Sequence, residues 1–354
     1  MPAPTPTKQG PSTPLRAPSS PPRSAGTILP VLPTIGPRAF LRVTQVALAL
    51  VVLNIVSGAA VRLSGSGLGC PDWPTCSVRH LTPPLSLHPV VEFSNRMVVV
   101  TLCIVAAGVM LAAFRRRPRR RDLVWLSAGL IGGILGEAVL GAFVVYSKLN
   151  PYVVMVHFMV GIVLLTGALA LALRAGRGSG GAVSMVTPSV RRLTRVTIGV
   201  LVLAIAAGTA TTGAGPHAGG QGAVRIPVPL SDMARTHAEI VLVLGALTLG
   251  LLYLLEHTRA PERVAVRGRI LLAVMVAQGF VGYTQYFTHL PAVLVGIHVF
   301  GAAVLWGTML WFYDGLSHHP AEADGAVARP PDVVGHARIE TAGVEAVAPV
   351  GSGR

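Results

Sequence analysis

Apolar residues fall into eight long runs that are separated by short polar segments. Each run is about 20 residues long, which is the length that an α-helix needs to cross the hydrocarbon core of a bilayer. The pattern therefore predicts an all-α integral membrane protein with eight transmembrane helices. The predicted spans are roughly 39–62, 93–114, 123–146, 151–174, 194–213, 233–255, 268–288 and 291–314.

The composition excludes a water-soluble globular enzyme. Hydrophobic residues make up 52% of the chain and charged residues only 12%, whereas soluble domains carry about 25% charged residues. The segments outside the runs, 1–38 and 315–354, are polar, and we expect both to be disordered tails. The first run is long enough to span a membrane, so we interpret it as an anchor and not as a cleavable signal peptide.

Positive charge is distributed unevenly over the loops. The formal net charge is +15, and 23 of the 29 Lys and Arg residues lie on one side when alternate loops are assigned to opposite sides. Because basic residues stay on the cytoplasmic side, both termini are predicted to be cytoplasmic and the protein to lie in the cell membrane. The charge is thus a topology signal, and we expect no nucleic-acid partner.

The two halves of the chain repeat one another. Glu137 precedes His157 by 20 residues, and Gln278 precedes His298 by 20 residues. In both halves a glycine stands 16 residues ahead of the histidine. Four spans per half preserve orientation, so the pattern predicts two four-helix bundles related as a parallel repeat. The predicted halves are 39–174 and 194–314, with a cytoplasmic linker at 175–193.

Three histidines fall at similar depths in the predicted helices. His157 and His298 lie about 9–10 Å into their helices at 1.5 Å per residue, and His237 lies within the first turns of its own. His237 and His298 could hold one metal from opposite sides, as in haem sites of helical bundles. In the first half, His157 instead faces Asn95. The alternative is that each histidine hydrogen-bonds a neighbouring helix.

Other polar residues at this level are candidates for chemistry. Glu92 and Asn95 share a helix face, so Glu92 could hold a proton or a water molecule beside the ligand of His157. An ion pair between Glu92 and Arg96 explains the spacing equally well. Arg62, at the end of the first span, could pair with a propionate or extend its charge to the membrane surface.

Two of the three cysteines flank a short loop. Cys70 and Cys76 lie on the side predicted to be oxidising, where a disulfide can persist. Such a disulfide is either labile with a redox role or a structural staple. A zinc site would need further ligands, for which His80 and His88 are near, and this is the less favoured interpretation.

Four stretches resemble the haem A synthase family, in its actinobacterial-type form. They are RLSGSGLGCPDWP at 62–74, EFSNR at 92–96, GPHAG at 215–219 and QYF at 285–287. The first is long and specific, and the others support it. Together with the duplicated eight-helix plan, the resemblance covers about 39–314.

The resemblance implies an oxidoreductase that converts haem O to haem A for cytochrome oxidase assembly. The C8 methyl of the ring is oxidised to a formyl through a hydroxymethyl intermediate. The family holds a haem b cofactor in the C-terminal half, which corresponds here to His237 and His298 as axial ligands of the iron. The substrate haem lies in the N-terminal half, which corresponds to His157, and Glu92 matches the family's catalytic acidic residue.

One position departs from the family pattern. Many members have histidine where this chain has Asn95, so the substrate site has one clear axial ligand. The gap either leaves an open position at the iron or is filled by His88, and Arg62 is a further candidate contact of the substrate haem. Cys70 and Cys76 match a pair that part of the family uses in electron or haem handling.

The expected partners are the substrate haem O, the lipid bilayer and an electron acceptor or donor that the sequence does not identify. Haem O synthase is a candidate supplier of the substrate. Two alternative functions predict different arrangements of the polar residues. A cytochrome b-like electron carrier predicts a histidine pair in both halves, and a transporter predicts polar residues at the bilayer midplane.

Overall fold

Long helices form most of the described chain. The computed structural model describes residues 1–3, 33–77, 82–220 and 222–320. The chain divides into two units, residues 1–34 and residues 35–354, and the second contains every element named below. The described residues contain eight helices that are long and apolar enough to cross a membrane, which confirms the predicted number. They are α1 (Pro37–Leu63), α2 (Leu87–Arg115), α3 (Arg121–Tyr146), α4 (Pro151–Ala175), α5 (Pro188–Ala214), α6 (Leu230–His257), α7 (Glu262–Phe287) and α8 (Ala292–Gly315).

Most of the helices extend beyond the apolar runs. The largest differences are at α2, α5 and α7, each of which begins six residues before the predicted start, at 93, 194 and 268 respectively. At α5 the chain supplies its own start signal, since Pro188 occupies the first turn and the Thr187 side chain accepts a hydrogen bond from the Val190 N–H. Hydropathy marks only the part of a helix that lies in lipid, so it misses these polar first turns.

Backbone hydrogen bonds occur within both segments that were predicted to be disordered tails, 1–38 and 315–354. The backbone of Ile35 pairs with that of Arg115 and Arg117, so the predicted tail 1–38 ends in ordered chain. A two-stranded antiparallel pair joins β1 (Val183–Ser184) to β2 (Ser317–His318), which corrects the prediction that disorder begins at 315. Most of both predicted tails, 4–32 and 321–354, lies outside the described residues.

Each half of the chain packs as a four-helix bundle. In the first half α1 contacts α2 and α4, and α3 lies between α2 and α4. In the second half α5–α6, α6–α7 and α7–α8 pack as neighbours, and α5 also touches α8. The halves meet where α1 and α4 pack against α8 and where α4 packs against α5. One hydrogen bond across this seam joins Trp306 Nε1 to Thr166 Oγ1 at 2.9 Å.

The repeat extends to the turns that introduce α4 and α8. Leu149 N donates to Val144 O, and Leu290 N donates to Gln285 O, so both turns close the same five-residue loop. In each turn two successive residues adopt positive φ, ending at Leu149 in one and at Leu290 in the other. Matching turns place the two histidines that follow at the same height in their bundles.

The α1–α2, α3–α4, α5–α6 and α7–α8 connections lie at one end of the bundle, which we call the disulfide end. The other connections and Pro37 lie at the opposite end, which we call the arginine end. All candidate site residues on helices lie in the half of their helix nearest the disulfide end, and Cys70 and Cys76 lie in the α1–α2 loop at that end.

Candidate functional site

Two histidines face each other inside the C-terminal bundle. The ring centroids of His237 on α6 and His298 on α8 are 6.3 Å apart, and the ring planes are nearly perpendicular at 83°. Both Nδ1 atoms are buried without a hydrogen-bond partner. The sequence predicted that these two helices present one pair of ligands, and the structure brings the pair together.

Each of the three candidate histidines, and Asn95, lies against a glycine of the neighbouring helix. A Cβ at Gly208 would lie 3.2 Å from His237 Cε1, and a Cβ at Gly282 would lie 3.1 Å from His298 Cε1. The approach is looser in the first half, where a Cβ at Gly141 would lie 3.9 Å from His157 Cε1. A Cβ at Gly58 would likewise lie 3.9 Å from Asn95 Oδ1, so Asn95 occupies the fourth equivalent place.

The N-terminal bundle differs from its counterpart in the partner of its histidine. His157 Nδ1 on α4 lies 3.2 Å from Glu137 Oε2 on α3, although the two atoms are not aligned for a strict hydrogen bond. Gln278 occupies the repeat position of Glu137 but turns away from the ring, because its Nε2 donates to the backbone oxygen of His298 at 2.6 Å. The two bundles therefore offer different surroundings to similarly placed histidines.

In the N-terminal bundle a carboxamide occupies the place that corresponds to His237. Asn95 Oδ1 on α2 accepts a hydrogen bond of 2.7 Å from Ser57 Oγ on α1. One turn earlier on α1, Asn54 Oδ1 is buried with no hydrogen-bond partner. The oxygen of Asn95, the atom that would bind a metal, is thus already engaged by Ser57.

Glu92 and Arg96 attach the disulfide loop to α2. Cys70 and Cys76 form a disulfide, and the Cys70 N–H donates to Glu92 Oε2 at 2.8 Å. Arg96 donates to Glu92 Oε1 at 2.5 Å and to three backbone oxygens of the loop. Glu92 is 5% exposed, so this ion pair is buried. The structure therefore contains the Glu92–Arg96 pair that the sequence offered as one alternative.

The remaining predicted residues lie at the disulfide end. Arg62 Nε donates to the backbone oxygen of His217, and His217 Nε2 lies 2.8 Å from Leu290 O, so this chain of contacts joins the loops of the two halves. His88 is exposed in the first turn of α2, with its Nδ1 3.0 Å from Ser66 Oγ. It lies seven residues before Asn95, about 10 Å along the helix axis, and is not beside that residue. His80, named in the zinc alternative, lies outside the described residues.

The C-terminal pair fits a haem iron. Two metal–nitrogen bonds of about 2.1 Å and the near halves of two imidazoles span roughly the observed separation of 6.3 Å. The glycines beside the rings are also in keeping with such a ligand pair. His157 offers one nitrogen in the other bundle. No group of three His, Cys, Asp or Glu side chains that could hold a metal by themselves occurs within the part of the chain that is described.

Several of these contacts were missing from the sequence-based predictions. Ser57 and Gly58 were not singled out, and Gly208 was not recognised as their counterpart. The available signal was the repeat itself, since a small residue pair, Ser-Gly or Ala-Gly, stands at 57–58 and 207–208. The chain offers no local signal for the partner that Ser57 takes, because that partner is 38 residues away.

The comparisons with known proteins agree on one family. The model of the family described as cytochrome oxidase assembly protein matches residues 42–219, half of the chain. The heme A synthase of Geobacillus kaustophilus is 33% identical over 129 residues, which are 35% of this chain and 39% of the relative. The heme A synthase of Bacillus pumilus is 33% identical over 136 residues, covering 38% and 44%. That of Shewanella oneidensis is 29% identical over 148 residues, covering 37% and 44%.

These matches span about two fifths of the length of the curated relatives. The predicted resemblance to haem A synthases is confirmed, and the actinobacterial subtype stays a prediction. With eight helices of membrane-spanning length and a family model that matches half of its residues, the chain is a multi-pass membrane protein and belongs to the cytochrome oxidase assembly protein family.

Proposed function

We propose that the protein is a haem A synthase, which oxidises the C8 methyl of haem O to a formyl through a hydroxymethyl stage. The observation that carries the proposal is the asymmetry between the bundles. One bundle offers two facing histidines, and the other offers a single histidine opposite a hydrogen-bonded carboxamide. A haem with both axial positions filled suits electron transfer, whereas chemistry needs incomplete ligation.

In this proposal His237 and His298 hold a haem b cofactor. When bound, the cofactor supplies one-electron redox chemistry. Its two ligands come from different helices, and each ring lies against a glycine of a neighbouring helix. His157 holds the iron of the substrate haem, and Asn95, fixed by Ser57, faces it without competing as a ligand. Arg62 and His88 stay candidates for contacts with the substrate at the disulfide end.

Glu92 enters the proposal as a positioning residue. Both of its carboxylate oxygens are engaged, one by the Cys70 N–H and one by Arg96. We infer that its removal would release the loop that covers this end of the N-terminal bundle. Direct action of Glu92 on the reacting haem stays a prediction, as does a redox role for the cysteine pair.

We further propose that the protein lies in the cell membrane with both termini in the cytoplasm. Supporting this orientation, the six basic residues at 115–121 and those flanking the α4–α5 and α6–α7 connections lie at the arginine end. The disulfide end then faces the oxidising side, where a disulfide persists. Haem O, an electron acceptor or donor, the lipid bilayer and haem O synthase are the partners of the proposal.

The test is haem conversion in a host that makes haem O and lacks its own synthase. Total haem is extracted after expression of the chain and separated by reversed-phase chromatography with mass detection. We expect haem A or its hydroxymethyl precursor from the wild type, and loss of both on His157→Ala. His257→Ala is the matched control, because His257 is an exposed histidine at the arginine end.

Two results would overturn the proposal. Unchanged haem O with haem b bound to folded protein would favour a cytochrome b-like electron carrier, for which the histidine pair alone suffices. Purified protein without any haem, after adequate haem supply, would favour a transporter.

A further inference from the structure

We propose that Glu137 is a positioning residue that sets the iron-binding nitrogen of His157, and that it distinguishes the reacting bundle from the electron-transfer bundle. This inference rests on the proposed function. It starts from the one contact between a carboxylate and a candidate axial histidine among the described residues, Glu137 Oε2 to His157 Nδ1 at 3.2 Å.

The position of Glu137 needs an explanation of its own. The side chain is only 10% exposed and lies near the middle of a helix of membrane-spanning length. Its Oε1 is buried and has no hydrogen-bond partner. Ionisable groups at such places are costly and pair with a specific partner when they occur. The only described residue in ion-pair distance of Glu137 is His157.

The surrounding packing directs the carboxylate to the ring. Gly161 lies one turn beyond His157 on α4, and a Cβ there would be 3.6 Å from Glu137 Oε2. The glycine therefore leaves the carboxylate a place against α4, on the same side as the imidazole. In the other bundle a Cβ at Gly301 would be 2.0 Å from the side-chain oxygen of Gln278, so this side chain lies tight against α8 and bonds to the backbone.

The chemical consequence follows from the two nitrogens of imidazole. A hydrogen bond from Nδ1–H to a carboxylate keeps the proton on Nδ1 and leaves the Nε2 lone pair for a metal. Such a partner orients the ring and increases the donor strength of the ligating nitrogen. Among the described residues, His237 and His298 have no carboxylate within ion-pair distance, and a carboxylate is a stronger acceptor than a neutral group. His157 is therefore the strongest donor of the three histidines.

A strong single donor suits the bundle in which the substrate haem reacts. The position that corresponds to His237 is occupied by Asn95, whose oxygen accepts a hydrogen bond from Ser57. No second protein ligand therefore competes with the electron donation of His157 to the iron. In the C-terminal bundle two similar donors share the iron, which suits a cofactor that only passes electrons. The exchange of Glu137 for Gln278 thus adds to the exchange of Asn95 for His237 in giving the two bundles different functions.

The repeat also supplies the matched variants. Glu137→Gln gives the N-terminal bundle the side chain of its counterpart at nearly the same volume, and Glu137→Ala removes the acceptor altogether. Gln278→Glu is the reciprocal change in the C-terminal bundle. Purified protein is titrated with ferrous haem O, and the iron–histidine stretching band is recorded by resonance Raman spectroscopy. Neither measurement requires turnover.

We expect Glu137→Gln to weaken haem O binding by about 10-fold and Glu137→Ala by up to about 100-fold, the range found for outer partners of metal ligands. The iron–histidine band should move to lower frequency in the order wild type, Gln, Ala. Gln278→Glu should leave haem O binding and this band unchanged. A simple packing role would weaken binding without moving the band.

The failure of this inference differs from the failure of the proposed function. Affinities within twofold of the wild type together with an unmoved band would overturn the role of Glu137 while haem A formation persists. If His157→Ala leaves both the titration and the band unchanged, the substrate site itself has been misplaced, and the proposed function fails with it.

Discussion

Arg96→Ala should expose the disulfide of the first loop to reductants. The two cysteines are 0% and 2% exposed, so a reductant in solution must wait for the loop to open. Arg96 makes most of the hydrogen bonds that hold this loop against α2, because its guanidinium donates to the backbone oxygens of residues 72, 74 and 75 and to the Glu92 carboxylate.

The magnitude follows from these contacts. The bonds from Arg96 to Asp72 O and Thr75 O are both 2.7 Å, and the third, to Pro74 O, is longer at 3.1 Å. A hydrogen bond to a charged group contributes about 1.5–3 kcal/mol. Since one terminal nitrogen serves all three oxygens, we count the equivalent of one to two such bonds, about 3 kcal/mol. That free energy corresponds to an increase of roughly 10²-fold in the open population.

The assay measures reduction of the disulfide in protein purified in detergent. A water-soluble phosphine is the reductant, and mass spectrometry after thiol alkylation follows the product. When opening is fast relative to reduction, the rate follows the open population, so Arg96→Ala should be reduced about 100-fold faster than the wild type. Glu92→Gln, which keeps an acceptor for the Cys70 N–H but loses the charge facing Arg96, should be intermediate.

Arg235→Ala is the control, because Arg235 is exposed in the first turns of α6, the repeat counterpart of α2. It should be reduced at the wild-type rate. If Arg96→Ala also falls within twofold of the wild type, the contacts of Arg96 do not keep the loop closed, and the positioning role of Glu92 loses its basis.

Two further predictions concern packing inside the bundles. Gly282→Ala should disturb the b-type haem spectrum of the purified protein, because its Cβ would come within 3.1 Å of His298 Cε1 and shift the ring by a few tenths of an ångström. Gly279→Ala, whose Cβ would meet nothing within 4 Å, is the control and should leave the spectrum unchanged. A Gly282→Ala spectrum equal to that of the wild type would contradict the assignment of His298 as a ligand. Trp306→Phe removes the bond to Thr166 across the seam and should destabilise the protein by about 1 kcal/mol. The melting temperature in detergent should therefore fall by a few degrees, and an unchanged value would show that this bond contributes nothing to holding the halves together.

Much of the architecture could be predicted from local patterns. Long apolar runs specify membrane-spanning helices through length alone, and all eight were found. The equal spacings from Glu137 to His157 and from Gln278 to His298 specified the repeat, because equal helices and equal turns place equivalent residues at equal heights. The helix ends were less well predicted, since polar first turns such as that of α5 depend on capping and not on hydropathy.

The partners of the polar side chains could not be predicted in the same way. Glu92 had two interpretations of equal standing, and its carboxylate is engaged by a backbone N–H 22 residues earlier and by Arg96. At Asn95 the sequence left open whether the iron position is vacant or filled by His88, and it gave no sign that Ser57 from α1 engages the Asn95 oxygen. Both contacts depend on how α1, α2 and the first loop pack, and helical periodicity within one element does not contain that information.

The sequence by itself thus determined the number of spans, the duplication and the family, and it singled out the histidines that are proposed to bind iron. All of these are properties of one helix or of spacing along the chain. The pairing of His237 with His298 was also predicted from the repeat, whereas only the tertiary structure decided that Glu137 meets His157 and that Ser57 meets Asn95. The physical reason is that a hydrogen bond or ligand pair needs atoms within about 3 Å of each other, and helix rotation and tilt, which set such distances, result from the packing of all eight helices together.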